Sequence, residues 1–226
     1  MIRIGPYRFR RPDIDRTLRD YDELWQLYRE GRDATSLDPL KAQLTGIADD
    51  DLPQAWESFL AAGRALRSAG QLPRRVEATV VQVSVSGGGV PKLPVEAIEV
   101  GFAGVHGDIQ KSKKHHGAPW QALCIWSTEA IAQLNADGHQ LTPGAAGENV
   151  TVEGLPWDEV RAGVRLRLGT VLCDVSAFAL PCSQNARWFL RRDVFAMHHE
   201  RGPSRVYATV LEPGRIATGD PAVLEP

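Results

Sequence analysis

Apolar residues recur at helical spacing in the first third of the chain. Between Asp13 and Glu30, one face would carry six of them: Ile14, Leu18, Tyr21, Leu24, Trp25 and Tyr28. Side chains three and four residues apart share one face of a helix, so this spacing predicts a helix. The segments from Asp38 to Gly46 and from Asp51 to Gly70 carry similar helix starts and stops. The sequence therefore predicts a helical N-terminal region over residues 1–75, whose apolar stripes pack against each other or against the next domain.

The pattern changes after Arg75, where short β-branched runs are separated by glycine-containing turns. The predicted strands are seven such runs: 76–86, 120–127, 148–154, 165–169, 170–180, 204–214 and 221–226. A helix capped by Ser127 or Thr128 should follow the second strand, and another is predicted from Gln184 to Arg201. Many short strands with few helices favour a barrel over a parallel layered sheet. The expected fold class is mainly β with peripheral helices (α+β), with a β-barrel domain over residues 76–226.

Charge and cysteine content limit the functional classes. The 26 Lys and Arg residues nearly balance the 28 Asp and Glu residues, so the sequence offers no basic face of the kind that binds nucleic acid. No apolar run approaches the roughly 20 residues that span a membrane, and the start lacks the apolar stretch of a secretory signal. Three unevenly spread cysteines are too few for a disulfide framework. These features predict a cytoplasmic protein that binds neither nucleic acid nor membrane.

Two glycine-containing loops carry cations. Gly87–Gly89 leads to Lys92, an arrangement that suits either a plain hairpin turn or a loop whose N–H groups bind an anion. The second loop, from Gly107 to Leu123, gathers three lysines with His115 and His116. Adjacent histidines on an extended segment point to opposite sides, so at most one would face a shared pocket. A phosphate- or oxyanion-binding loop is favoured over a zinc site, because zinc prefers further Cys, His or carboxylate ligands nearby.

The remaining candidates are a carboxylate, an amide and one thiol. Glu148 suits a general acid or base, or a turn-stabilising acceptor, and Asn149 offers donors and acceptors to an amide-rich heterocycle. Cys124 and Cys173 lie in apolar strands, where free cysteine behaves as a small hydrophobe. Cys182 follows a proline at a strand end and precedes a predicted helix, whose dipole would stabilise a thiolate. Cys182 is thus the candidate nucleophile or soft-metal ligand, with an inert thiol as the alternative.

The order of these pieces resembles the MOSC domain family, named for the C-terminal domain of molybdenum cofactor sulfurase. The matching motifs are SGGGVPKLPV (86–95), VGFAGVHGD (100–108), HHGAPWQALCIWS (115–127), PGAAGENVTVEGL (143–155), LPC (180–182) and RVYATVLEPGRIATGD (205–220). The resemblance implies a closed, mostly antiparallel β-barrel that binds the molybdenum cofactor. It implies Cys182 as the molybdenum ligand, and a cofactor-binding pocket formed by Lys92, His115, His116, Gly117, Asn149 and Arg205.

The activity implied by this resemblance is molybdenum-dependent reduction of N-hydroxylated compounds, of the hydroxylamino-purine or amidoxime type. Cys182 would be catalytic as the metal ligand, and no pyridoxal phosphate is expected. The cysteines form no iron–sulfur set, so electrons would come from a separate electron-transfer protein. One alternative is a non-catalytic carrier that holds the cofactor, or a persulfide on Cys182, and delivers it to a partner. Another is an interaction protein whose helical region recruits a partner, and the apolar helix faces would also allow a homodimer.

Overall fold

The computed structural model describes residues 2–4, 7–9, 75–111, 116, 121–161 and 164–225. The chain divides into two units, Met1–Leu72 and Pro73–Pro226. In the first unit, strands β1 (Ile2–Ile4) and β2 (Tyr7–Phe9) form an antiparallel pair. The helices predicted between residues 13 and 70 lie outside the described residues.

The β1–β2 pair departs from the prediction of a helical region over residues 1–75. Ile-Arg-Ile and Tyr-Arg-Phe each alternate apolar and polar side chains with the period of two that is typical of a strand. Each run has only three residues, too few to stand out beside the longer helical pattern that begins at Asp13. The described start of the chain is therefore β structure.

The second unit is a β structure whose described strands are β3 (Val76–Val85), β4 (Leu93–Val95), β5 (Ala97–Gly101), β6 (Gly104–Val105), β7 (Leu123–Ser127), β8 (Val150–Glu153), β9 (Arg165–Leu168), β10 (Val171–Phe178), β11 (Val206–Glu212), β12 (Gly214–Ala217) and β13 (Pro221–Glu225). Seven of these described strands close into a barrel in the order β3–β13–β9–β10–β11–β7–β8 and back to β3. Neighbours run antiparallel except for the parallel pair β7–β8. The predicted closed barrel is confirmed, and each of the seven predicted runs contains one of its strands.

Closure of the ring encloses one apolar core. Strand β9 shows how the sequence achieves this, because Leu166 and Leu168 are fully buried while Arg165 and Arg167 point outward. Strand β11 alternates in the same way, because the pleat sends successive side chains to opposite faces of a sheet. All five residues of β7 are buried, since Trp126 on its other face belongs to a second apolar cluster. The fully buried side chains of the core include Val80, Val83, Leu123, Ile125, Val150, Val152, Val206, Ala208 and Leu224.

Two short additions to the barrel were not predicted. Strand β4 pairs with the end of β3, and β5 pairs with β12 and β6 in a separate three-stranded sheet. The loop after β6 returns to β3, where the Ile109 N–H donates to the Ser86 carbonyl at 2.8 Å. This return brings the chain around residue 108 beside the end of β3.

The helix predicted after the second barrel strand is confirmed as α1 (Thr128–Ala136). Ser127 is its cap, since the Ser127 hydroxyl accepts from the Ala130 N–H at 3.0 Å. Ala130, Ile131 and Leu134 bury the inner face of the helix against a second apolar cluster, which includes Trp126. Within the described residues, no helix has the length and apolar character needed to cross a membrane.

The helix predicted from Gln184 to Arg201 is wrong. The structure has three short 3-10 helices there instead: Ser183–Trp188, Leu190–Arg192 and Val194–Met197. Arg191 and Arg192 have φ values of +53° and +61°, in the left-handed region that an α-helix cannot contain. Phe189 and Met197 are buried against the α1 cluster. Apolar residues at near-helical spacing therefore reach the core through successive turns.

Candidate functional site

A cavity of about 120 Å³ opens where the loops 86–92 and 144–149 meet the chain around Cys182. The predicted site residues Lys92, His116, Asn149, Cys182 and Arg205 all line it. His115 and Gly117 lie outside the described residues. The described lining includes three cationic side chains and no carboxylate. The arrangement therefore suits a ligand that carries negative charge.

Glycine at position 147 lets the two loops approach each other closely. Gly147 has a φ of +95°, and a Cβ there would lie 2.9 Å from Val90 Cγ1. Any L side chain would meet both an unfavourable backbone conformation and a steric clash. The Lys92 N–H donates to the Gly144 carbonyl at 2.9 Å, which ties the loops together. The glycine-containing motif thus shapes the cavity wall.

Cys182 caps the 3-10 helix Ser183–Trp188, and its carbonyl accepts from the Asn185 N–H at 2.9 Å. Its side chain is half-buried and lines the cavity, whereas Cys124 and Cys173 are buried. The following helix has only six residues and 3-10 geometry, so the structure does not support the predicted stabilisation of a Cys182 thiolate by a helix dipole. Its greater exposure distinguishes Cys182 from Cys124, which also lines the cavity, and from Cys173.

Arg205 is a buried cation, with 5% of its surface exposed. Its Nη1 donates to the Ala146 carbonyl, and its Nη2 donates to the Leu180 carbonyl at 3.4 Å. Its Nε has no hydrogen-bond partner among the described residues. Burying a charge is costly unless an opposite charge and further hydrogen bonds compensate it. Arg205 is therefore the cation in this wall with unused capacity for an anion.

Lys92 is already paired. Its Nζ forms a salt bridge with Asp108 Oδ2, and the two side chains are only 10% and 5% exposed. The Ser86 N–H donates to Asp108 Oδ1 at 2.8 Å, and Asn149 Nδ2 donates to Asp108 Oδ2 at 3.0 Å. Asp108 thus neutralises the charge of Lys92 and fixes its position. Sequence reasoning did not select Asp108, because no local motif relates a carboxylate to a lysine 16 positions earlier.

Asn149 uses its amide within the protein. Its Oδ1 accepts from the Cys124 N–H at 3.3 Å, while its Nδ2 donates to the Ser84 carbonyl at 3.3 Å and to Asp108. These contacts join β3, β7 and the Asp108 loop at the back of the cavity. The geometry makes Asn149 a residue that holds the wall together, with both amide atoms occupied.

Glu148 is fully buried and is not among the residues that line the cavity. Its Oε1 accepts from the Gly144 N–H at 2.6 Å, and its Oε2 has no partner in the described part of the chain. Burial raises the pKa of Glu148, and the nearby Arg205 charge opposes that rise. Of the two roles considered for Glu148, the turn-stabilising acceptor is the one that these contacts favour.

Two further groups line the cavity near Arg205. Burial raises the pKa of the Cys124 thiol to about 11, although the nearby Arg205 charge acts in the opposite direction. Burial also raises the pKa of Tyr207 well above its usual range, so the phenol keeps its proton at neutral pH. The Tyr207 hydroxyl lies 3.2 Å from His116 Nδ1 and can donate to it. Cys124 is buried as predicted, but it belongs to the wall of the cavity.

Asn185 is a lining residue that sequence reasoning missed. It is 1% exposed, and its Nδ2 donates to the Ala146 carbonyl at 3.3 Å. Its Oδ1 has no hydrogen-bond partner among the described residues. No sequence signal marks this position, because Asn185 reaches the cavity only through the 3-10 turn that follows Cys182.

Comparisons with known proteins agree with the architecture. Residues 112–223 match the model of the MOSC domain. "Uncharacterized protein YflK" of Bacillus subtilis (strain 168) is 30% identical over 133 residues, which cover 58% of this chain and 60% of that protein. "Protein YiiM" of Escherichia coli (strain K12) is 29% identical over 125 residues, which cover 54% of this chain and 56% of that protein. The matched regions thus span less than two thirds of the length of these two relatives.

A solved structure is also similar. The crystal structure of YiiM from Geobacillus stearothermophilus superposes with a TM-score of 0.51 at 28% identity, covering 66% of this chain and 75% of that one. MOSC domains are associated in general with binding of the molybdenum cofactor. The ordered motifs, the closed barrel and the domain match lead to one conclusion: this chain contains a MOSC domain, matched over residues 112–223.

Proposed function

We propose that this protein binds the molybdenum cofactor in the Cys182 cavity and reduces N-hydroxylated compounds of the hydroxylamino-purine or amidoxime type. The observation that carries the proposal is the shared cavity itself. A half-buried thiol, the cations Lys111 and Arg205, and two asparagines line one space that contains no described carboxylate. Of the two asparagines, Asn185 has an unpaired amide oxygen. A soft thiolate, a cation and amides are what a thiolate-ligated metal, a phosphate and a pterin ring respectively require.

The charge of Lys92 and the amide of Asn149 are already used in contacts with Asp108, so other residues of the lining would hold the cofactor. Cys182 would be the molybdenum ligand, because it is the half-buried thiol on the cavity. Lys111 would hold the phosphate, since Asp108 already neutralises Lys92. Bound there, the cofactor would supply the two-electron chemistry that removes oxygen from nitrogen.

The chain's own residues would bind, orient and hold protons. Reduction of an N-hydroxyl compound to its amine and water consumes two electrons and two protons. The Tyr207–His116 hydrogen bond places a protonated phenol beside an imidazole on the cavity wall, and this pair would hold a proton there. Asn149 and Asp108 would keep the wall in place.

Electrons would come from a separate electron-transfer protein. This chain has three cysteines, fewer than the four that hold a cubane iron–sulfur cluster, and two of the three are buried. The partner and the substrate class are parts of the same proposal.

The decisive measurement is molybdenum content per chain after expression in a host that makes the cofactor. We expect close to one molybdenum per chain for the natural sequence, measured by elemental analysis together with release of the pterin. Cys182→Ala should lose most of the metal. Cys173→Ala is the matched control, because Cys173 is fully buried in the barrel core and should leave metal content unchanged.

The same preparation separates the two candidate roles. Reduction of benzamidoxime to benzamidine with a chemical electron donor supports the reductase. A persulfide on Cys182, detected by intact mass in protein without molybdenum, would contradict the reductase role and support the sulfur-carrier alternative. Metal-free natural protein with an unmodified Cys182 would contradict both.

A further inference from the structure

The Ala146 carbonyl accepts hydrogen bonds from two buried side chains of the cavity wall. Arg205 Nη1 donates to it, and Asn185 Nδ2 donates to it at 3.3 Å. This shared acceptor fixes one end of each side chain. What each side chain offers beyond that bond is therefore held in a defined place.

Each of the two side chains has one polar atom left over. Arg205 Nε, a donor, and Asn185 Oδ1, an acceptor, have no hydrogen-bond partner among the described residues. The side chains are 5% and 1% exposed, and both residues line the cavity. An unpaired buried polar atom costs about 1–3 kcal/mol, so native proteins rarely retain one without a ligand or water to complete it. Here two of opposite hydrogen-bonding character belong to side chains that share the Ala146 carbonyl as acceptor.

From these two unpaired atoms we infer that Asn185 is a ligand-recognition residue. Together with Arg205, it would bind the adjacent donor and acceptor atoms on one edge of an amide- or amidine-like group of the ligand. Arg205 Nε would donate to the acceptor of that edge, and Asn185 Oδ1 would accept from its N–H. The inference rests on the proposed function in taking this cavity as a ligand site. Two sources carry such an edge: the pyrimidinone ring of the cofactor's pterin, and the amidoxime-type substrate.

The contrast with Asn149 supports the assignment. Both asparagines line the cavity, but Asn149 already uses Oδ1 and Nδ2 in hydrogen bonds to the protein. Asn185 uses only Nδ2. Of the two amides, only Asn185 retains an acceptor that a ligand could occupy.

The test compares Asn185→Leu with Asn185→Asp and with Asn135→Leu as the matched control. Leucine has a similar volume but no acceptor, whereas aspartate keeps an acceptor with the same shape. Asn135 is a suitable control because both of its amide atoms bond to Leu141, outside the cavity. The probes are pterin and benzamidoxime, titrated calorimetrically into metal-free protein, and molybdenum content is measured separately. Losing one such hydrogen bond should weaken binding about 10-fold.

The outcomes distinguish the two sources. Weaker pterin binding and lower molybdenum content in Asn185→Leu assign Asn185 to the cofactor. Weaker benzamidoxime binding with unchanged molybdenum content assigns it to the substrate. Asn185→Asp should bind the affected probe more tightly than Asn185→Leu does. Unchanged binding of both probes by Asn185→Leu overturns the inference, as does an equal loss in Asn135→Leu.

The probe titrations also separate this inference from the proposed function. If the natural protein contains no molybdenum yet Asn185→Leu weakens benzamidoxime binding, the recognition pair stands and the metal chemistry fails. If the natural protein contains molybdenum and Asn185→Leu binds both probes as tightly as the natural protein does, the inference about Asn185 fails and the proposed cofactor binding stands. Thermal unfolding of each variant confirms that binding is compared between folded proteins.

Discussion

The barrel core and the cavity wall satisfy their polar groups very differently. The core cluster consists of apolar side chains, and the Cys173 thiol within it donates to the Leu166 carbonyl at 3.5 Å. In the wall, Asn185 Oδ1 and Arg205 Nε are buried without a partner in the described part of the chain. The core is thus arranged for stability alone, whereas the wall gives up stability in order to keep groups available to a ligand.

The largest expected effect lies in the core. Leu168→Ala should lower the free energy of unfolding by about 2–5 kcal/mol, because Leu168 is fully buried in β9 and its removal leaves a cavity. Urea unfolding measures this loss. Leu93→Ala is the control, since Leu93 is 64% exposed and should cost under about 0.5 kcal/mol. Similar losses in both variants would mean that the barrel does not contain the stabilising core.

The next effect compares the reactivity of two thiols that line the cavity, half-buried Cys182 and buried Cys124. Iodoacetamide should label Cys182 at least ~100-fold faster than Cys124 at pH 8, since Cys182 is half-buried on the cavity. The pKa of about 11 leaves Cys124 with very little thiolate. Mass-spectrometric mapping over time gives both rates, and labelling in urea should bring them together. Equal rates in the folded protein would remove the distinction between the two sites.

The smallest effect concerns Glu148, whose raised pKa makes stability depend on pH. The folded state keeps the Glu148 proton at pH values where the unfolded chain has lost it, so stability falls as pH rises from about 4.5 through the folded pKa. Relative to Glu148→Gln, the natural protein should therefore lose stability across this range, because burial favours the protonated carboxyl only in the folded state.

Urea unfolding between pH 4.5 and pH 8 measures this difference. Glu77→Gln is the control, since Glu77 is exposed and pairs with Arg75 at the surface. A constant gap between the natural protein and Glu148→Gln across the range would show that Glu148 does not titrate within it.

The barrel strands could be predicted because each is a local pattern. Alternation and β-branched runs mark β9 and β11 within a few residues, and no distant contact is needed to recognise them. The segment after Cys182 could not be predicted in the same way. Its apolar residues have helical spacing, but left-handed backbone at Arg191 and Arg192 breaks the helix, and only tertiary packing reveals that.

The sequence predicted which residues line the cavity better than it predicted what each of them does there. The motifs brought Lys92, Asn149, Cys182 and Arg205 to one cavity. Whether a polar group is free for a ligand depends on distant partners, such as Asp108 for Lys92. The sequence therefore pointed to Asn149, whose amide is occupied, and gave no sign of Asn185, whose acceptor is not.

Closure of the barrel also has a consequence for how the protein is made. Strand β13 pairs with β3 on one side and β9 on the other, so it joins the first barrel strand to the rest of the ring. Contacts between segments so far apart in sequence form late in folding, because loop closure is entropically costly. During synthesis, one edge of β3 stays unpaired until β13 has been made. An unpaired strand edge can pair with the wrong strand or with another chain. The interval ends only when residues 221–225 leave the ribosome.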